Sequence, residues 1–361
     1  MWVHRCGPAS GACCPAERST GSGGAGASRH WTIDVHCHVL TLAVEKLLAD
    51  HPRKLAEASA MKAAMGEASV AHNDAVMLPQ AFPKLTRIEQ RLADMAAMGV
   101  DVQVLSPTPN QYYYWAEEAL AEEVVRLQNE NISALCAAHP GRLYGLGTVA
   151  LQHPQRAAAQ LRHAMRTLGL KGVEISTSVE GRELDDASLQ PFWAAAQELG
   201  AVVFIHPFGT SLGPRVASHY LVNTIGQPLE TTIALSRIIF SGLMDRHPGL
   251  KILAAHGGGY LPAYLGRSVH AFEVRPEAAA AMQRPPADYL RSMFFDSLVY
   301  EPRALRQLMD TVGASQVLLG TDYPFDMGHY QVHELAGSPE LTDDNERAAL
   351  LGANARRLFG I

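Results

Sequence analysis

The chain has no run approaching the ~18 consecutive apolar residues that a membrane-crossing helix needs. Its longest apolar segment, residues 232–244, carries Ser236 and Arg237 in its middle and reads as buried or amphipathic helix. Clustered positive charge is missing too. The formal net charge is −6 with the 16 histidines counted as neutral. No Lys/Arg run forms a patch able to track phosphates, so a nucleic-acid surface is not expected. Cysteine is sparse: of five residues, Cys6, Cys13 and Cys14 sit near the start, while Cys37 and Cys136 lie far apart. Neither a disulfide framework nor a C-x-x-C zinc site can be drawn from them, and a reducing cytoplasm is the expected setting. Residues 1–30 lack hydrophobic periodicity and the central apolar block of a signal peptide. They read as a disordered extension. A small metal-binding tail using Cys6, Cys13 and Cys14 is the competing reading.

What is present is a large apolar core with strong alternation. Of 361 residues, 47% are hydrophobic and 18% charged, the composition of a soluble globular protein. From residue 31 onward, short β-branched runs alternate with stretches of helical spacing. Strands are expected at 31–39, 100–107, 143–150, 170–176, 201–207, 250–256, 293–298 and 316–322. Helices are expected at 115–138, 154–168, 187–199, 229–246, 302–311 and 343–358. Strand alternating with helix implies a parallel sheet with right-handed crossovers, and eight such units close it into a (β/α)₈ TIM barrel. Residues 31–361 are therefore expected to form one barrel domain. Residues 40–85 interrupt the rhythm after strand one. An insertion there lies on the catalytic face, as a lid or wall of the pocket or as a surface excursion unrelated to it.

Because a barrel places its active site at the carboxyl ends of its strands, the strand ends carry the functional reading. Strand one ends Asp34-Val35-His36-Cys37-His38. Side chains two apart share a face, so His36 and His38 both project into the barrel mouth and Cys37 faces the helices. Strand five ends in His206-Pro207, strand six in His256-Gly257-Gly258-Gly259, and strand eight in Thr321-Asp322-Tyr323-Pro324. His206 taken alone reads as a hydrogen-bonded core histidine before it reads as a ligand. Together, four histidines and a carboxylate at one end of one barrel point to a single divalent-metal site. Imidazole nitrogen and carboxylate oxygen suit zinc, with manganese the alternative for three nitrogens and one oxygen. His36, His38, His206 and Asp322 form the expected ligand set.

This order of H-x-H, strand-five His, strand-six His and strand-eight Asp resembles the amidohydrolase superfamily. Residues 33–38, 142–148, 203–207, 228–233, 255–259 with Gly266-Arg267, and 319–325 resemble its aminocarboxymuconate-semialdehyde decarboxylase branch, amidohydrolase-related family 2. The most specific strings are A-H-G-G-G and G-T-D-Y-P-F, and the likeness runs from about residue 32 to the end. The resemblance implies a mononuclear zinc on the four ligands, His256 as acid or base on the metal's water, and a homodimer. It also implies that Arg267 binds the substrate, across a dimer interface or within the chain; a surface arginine is the alternative. Two departures concern the pocket. Residues 78–82 offer no arginine where the family has one, and Phe208 stands where the family has tryptophan.

Three functions follow. The first is non-oxidative decarboxylation of an aromatic hydroxy acid or a ring-cleavage acid, with Asp322 and His256 as the catalytic pair. The second is hydrolysis of a lactone, ester or amide by the same metal hydroxide. The third is a non-catalytic scaffold with a structural metal. A two-metal site is not expected, since Lys171 lies at the wrong end of strand four and Glu174 falls two residues short of the rim. Residues 112–115 read as pocket lining or as packing for the next helix. Asp296 is read as orienting a ligand or satisfying backbone donors, and Asp34 as structural.

Overall fold

The computed structural model describes residues 31–361. The expected extension at 1–30 and its cysteines lie outside the described residues.

Eight parallel strands form the barrel: β1 (Ile33–Val39), β2 (Val102–Pro107), β3 (Leu143–Gly145), β4 (Gly172–Ile175), β5 (Val202–Ile205), β6 (Lys251–Ala254), β7 (Phe294–Asp296) and β8 (Val317–Leu318). β1 to β3 pair in order, as do β4 to β8. Two parallel bridges, Gly147 to Val173 and Cys37 to Tyr323, close the circle. Every residue of β1 and β5 is buried. That follows from a strand whose inner face fills the barrel and whose outer face is covered by helices. Val102, Val104, Phe204, Leu253 and Leu318 form the inner layer with Ile33 and Val35. Val203, Ile205, Ile252 and Ala254 pack instead with the buried faces of surrounding helices, including Trp193 and Ile238.

The strands are shorter than the sequence indicates, because their apolar runs continue into the bonded loops that form the catalytic rim. Two helices are also broken. The segment expected at 229–246 is Gln227–Phe240 followed by Leu243–Arg246, separated where Gly242 adopts φ +69°. The segment at 343–358 is Asp344–Ala348 and Asn354–Phe359 joined by a π turn. The insertion is almost wholly helical: Leu42–Leu47, Pro52–Met65, Glu67–His72, a π turn at Asn73–Met77, and Leu78–Thr86. It stands over the carboxyl ends of the strands. Leu40 N–H donates to Leu85 O, clasping its two ends at the point where it leaves and rejoins the barrel.

Strand parity fails at one place. The β1–β2 register shifts between Asp34 and Cys37. Asp34 therefore does not line up beneath the two histidines. It accepts bonds from Gln103 Nε2 and from Thr321 N and Oγ1, and Gln103 is in turn held by the buried Arg91. A β-bulge of this kind re-aims the side chains that follow it. Here those are His36 and His38.

Candidate metal centre and cavity

His36 and His38 are wholly buried, which for imidazole demands a partner on each nitrogen. The outer nitrogens have theirs: His36 Nδ1 lies 2.6 Å from Asp296 Oδ2, and His38 Nδ1 lies 2.9 Å from Pro107 O. Those acceptors hold a proton on each Nδ1, so in the neutral imidazoles both Nε2 atoms are lone pairs. The two Nε2 atoms are nevertheless 3.2 Å apart, and Asp322 Oδ1 is 3.3 Å from each. Three acceptors facing one another in a buried space repel unless a cation lies among them.

His206 and His256 complete the group. Ligand atoms of His36, His206, His256 and Asp322 all lie within 4.8 Å of one another. The His206 ring is 4.9 Å from that of His38 and 5.0 Å from those of His36 and His256, centre to centre. Both ring nitrogens of His206, together with Asp322 Oδ1, are buried without a hydrogen-bond partner. Unsatisfied polar atoms at this density are expensive, and a divalent cation satisfies Asp322 Oδ1 and one His206 nitrogen together.

Charge follows the same logic. Burial lowers the His206 pKa, and the neighbouring histidines lower it further, so this imidazole is neutral. Burial works to raise the Asp322 carboxyl, but the neighbouring His36, His256 and His38 outweigh it and hold the group well below its ordinary range. Burial also disfavours a charged His36, yet Asp322 and Asp296 on either side raise its pKa to about 10. Two carboxylates around one imidazole mark a place built for positive charge.

Backbone geometry delivers these side chains. His256 and Asp322 sit at φ +53° and +59°. A left-handed backbone costs a non-glycine residue of order 1 kcal/mol, tolerated where surrounding bonds impose it. At β6 the bonds come from Asp296, which accepts from His256 N at 2.9 Å and Gly257 N at 2.7 Å while gripping His36. One carboxylate therefore ties β1, β6 and β7 into a single rim. Gly259 follows at φ +65° against Pro228 O, where any Cβ would stand 2.1 Å from that oxygen.

A cavity of about 380 Å³ opens from His206 and Asp322. Phe208 and Phe325 line it near the cluster, and Met61, Met65 and Met77 line it from the insertion. The insertion is thus a wall of the pocket. Of the aromatic run after β2, Tyr113 lines the cavity, whereas Tyr112 and Tyr114 stack on each other in the core. Arg267 is not brought to the cluster. It is exposed on the Leu265–Val274 helix and does not line the cavity of its own chain.

Two features escaped sequence reasoning. Glu174 reaches the site after all: it is fully buried, accepts from Tyr112 OH at 2.6 Å, and places Oε2 3.6 Å from His38 Nδ1. Its inward parity with Ser176 was the available signal. The polar wall residues of the insertion, Lys54, Glu57, Lys62, Asn73 and Asp74, had none, because helical spacing marks a buried face and not a pocket.

Comparison with known proteins agrees with this geometry. Residues 33–361 match the family model described as Amidohydrolase. The 2-amino-3-carboxymuconate-6-semialdehyde decarboxylase of Dictyostelium discoideum is 36% identical over 272 residues, covering 75% of this chain and 76% of the relative. The crystal structure of 5-carboxyvanillate decarboxylase from Sphingomonas paucimobilis superposes with a TM-score of 0.80 at 25% identity, over 92% of this chain and 100% of that one. The corresponding enzyme from Novosphingobium aromaticivorans, complexed with manganese and 4-hydroxy-3-methoxy-5-nitrobenzoic acid, has a TM-score of 0.80 at 23% identity, over 92% and 96% of the two chains.

Proposed function

Since the chain belongs to the amidohydrolase family, we propose that it is a metal-dependent, non-oxidative decarboxylase of an aromatic hydroxy acid or a ring-cleavage acid. The observation that carries this reading is the cluster of unpartnered acceptors opening onto an apolar cavity. The relatives that are decarboxylases support it.

His36, His38, His206 and Asp322 would hold the ion, with Zn²⁺ the default for this donor set and Mn²⁺ the alternative raised by the manganese-bound relative. An ion held there would supply Lewis-acid chemistry toward an acidic substrate. Asp296 and Pro107 hold His36 and His38 in the tautomer that turns Nε2 inward. His256 stands apart from this set in its chemistry. Its Nε2 is 3.7 Å from Asp322 Oδ2, its Nδ1 has no partner, and its side chain keeps 14% exposure. Such an imidazole can carry a proton in and out of the site. In decarboxylation the carbon–carboxylate bond breaks, carbon dioxide leaves, and the electron pair left on carbon takes a proton from His256. Phe208 and Phe325 pack the substrate ring and keep water from the reacting carbon. Among the described residues no helix is long and apolar enough to cross a membrane. The assembly is a homodimer, which sedimentation of the loaded protein checks.

The test is mass-resolved product analysis of metal-loaded protein incubated with hydroxybenzoates, carboxymuconate-type semialdehydes and simple lactones. The expected product is lighter by one carbon dioxide, and its formation is lost in His256→Ala. A product heavier by one water from a lactone, with no carbon dioxide from any acid, overturns the reading in favour of hydrolysis.

A further inference from the structure

A second cavity, of about 190 Å³, lies where the insertion leaves and rejoins the barrel. It is enclosed by residues 39–43, by residues 84–88 with Arg91, and by the Glu118–Ala138 helix. It shares no lining residue with the cavity at the metal centre. Its charge is all of one sign: Lys84, Arg87 and Arg91 line it, and no Asp or Glu does. Arg91 is only 2% exposed, and a cation buried to that degree ordinarily has a carboxylate partner. Its partners here are neutral: Gln103 Oε1 at 2.9 Å, Lys84 O at 3.4 Å, His38 O, and the face of Tyr323 at 4.8 Å. The side chains of Lys84 and Arg87 have neither a hydrogen bond nor an ion pair among the described residues.

The backbone adds to this field. The Ile88–Met98 helix begins at the cavity, and no side chain caps its first turn. The unpaired N–H groups of such a helix start attract negative charge. Glu89, the acid of that turn, is exposed and outside the lining. The neutral polar side chains are already engaged: Asn131 Nδ2 donates to Thr41 Oγ1, and Thr86 Oγ1 to Phe82 O. What is left without a partner is positive. The remaining lining is aliphatic, with Val39, Leu42, Ile88, Leu127 and Leu135. A hydrated inorganic anion would meet hydrocarbon over much of its surface. A carboxylate on a small apolar body satisfies both halves of the cavity.

We propose that this cavity is a binding site for a small organic carboxylate, whose charge meets Lys84, Arg87 and Arg91 and whose apolar body packs on the aliphatic lining. The inference is independent of the decarboxylase reading. The occupant supplies the counter-charge that Arg91 lacks within the chain. Arg91 also holds His38 O and Lys84 O, so the site adjoins both a histidine of the metal centre and the root of the pocket wall.

The test is titration of the metal-loaded protein with isobutyrate, followed by NMR of the isoleucine methyl groups. Ile88, assigned through Ile88→Val, lines this cavity and not the one at the metal centre. A saturable shift of the Ile88 signal in millimolar isobutyrate is expected, and a signal that stays still overturns the proposal. The double variant Lys84→Gln with Arg87→Gln leaves the buried Arg91 in place. It alters one half-buried and one exposed side chain, where folding is not at stake. Binding read at Ile88 is expected to weaken about tenfold or more, and an unaltered affinity overturns the proposal. Two further ligands test the chemical class. Isobutyramide has the same shape without the charge, and inorganic phosphate has the charge without the apolar body. Each is expected to bind at least about tenfold more weakly than isobutyrate. Equal affinity for the amide removes the role of the cations, and equal affinity for phosphate removes the role of the aliphatic lining; either overturns the assignment.

Discussion

At the scale of single residues, the centre depends as much on groups that hold the histidines as on the histidines. Asp296 fixes the His36 tautomer and bonds two backbone amides of the β6 turn. Asp296→Asn leaves the shape but offers an amide where His36 needs an acceptor. Metal affinity is expected to fall about 10- to 100-fold, measured by competition with a chromophoric chelator, with the melting temperature little changed. Gly320 makes a sharper steric case. A Cβ there would lie 2.7 Å from Asp296 Cβ and 2.8 Å from His36 Cβ. Gly320→Ala is expected to push the two apart and to lower metal content and turnover together; retention of both in a folded variant contradicts the account. That these histidines gather at one end of the barrel was legible in the sequence because each closes a β-branched run. Asp34 shared that signal but was sent elsewhere by the bulge between Asp34 and Cys37, which strict two-residue parity does not show. Arg267 was legible only by likeness, and the fold leaves it on the surface.

At the scale of elements, the closure of β3 to β4 and of β8 to β1 is what brings distant strand ends to one rim. β4 begins at Gly172, at φ +151°, where a Cβ would meet Val202 O at 1.9 Å. Gly172→Ala is therefore expected to weaken the β4–β5 pairing and destabilise the protein by roughly 2 kcal/mol or more, read from denaturant unfolding. An unaltered midpoint would contradict that placement of the strand. Alternation of short strands with helices anticipated the barrel, since about eight such units is the count at which a parallel sheet closes on itself. That the insertion forms a wall of the pocket was anticipated from its place after strand one, but which residues of Pro52–Met65 line it was not. Ala58, Met61 and Met65 face a cavity and not a core, and the two environments select the same side chains.

At the scale of the whole molecule, folding and metal binding are coupled through the rim. The buried acceptors of His206 and Asp322 burden the metal-free protein, so an ion that satisfies them binds the native state alone. Chelation is expected to abolish turnover and lower the melting temperature, and Zn²⁺ or Mn²⁺ added back restores both. A melting temperature indifferent to chelator, at full metal removal, would contradict the coupling.

The central claim is that the rim of this barrel exchanges a carboxylate for a proton on one carbon atom. Turnover of an accepted hydroxybenzoate in D₂O, followed by NMR, tests it most directly. The account predicts one carbon dioxide per molecule consumed and a single deuterium at the vacated carbon, neither formed by His256→Ala that retains its metal. A product that keeps its carboxylate and gains the elements of water would contradict it.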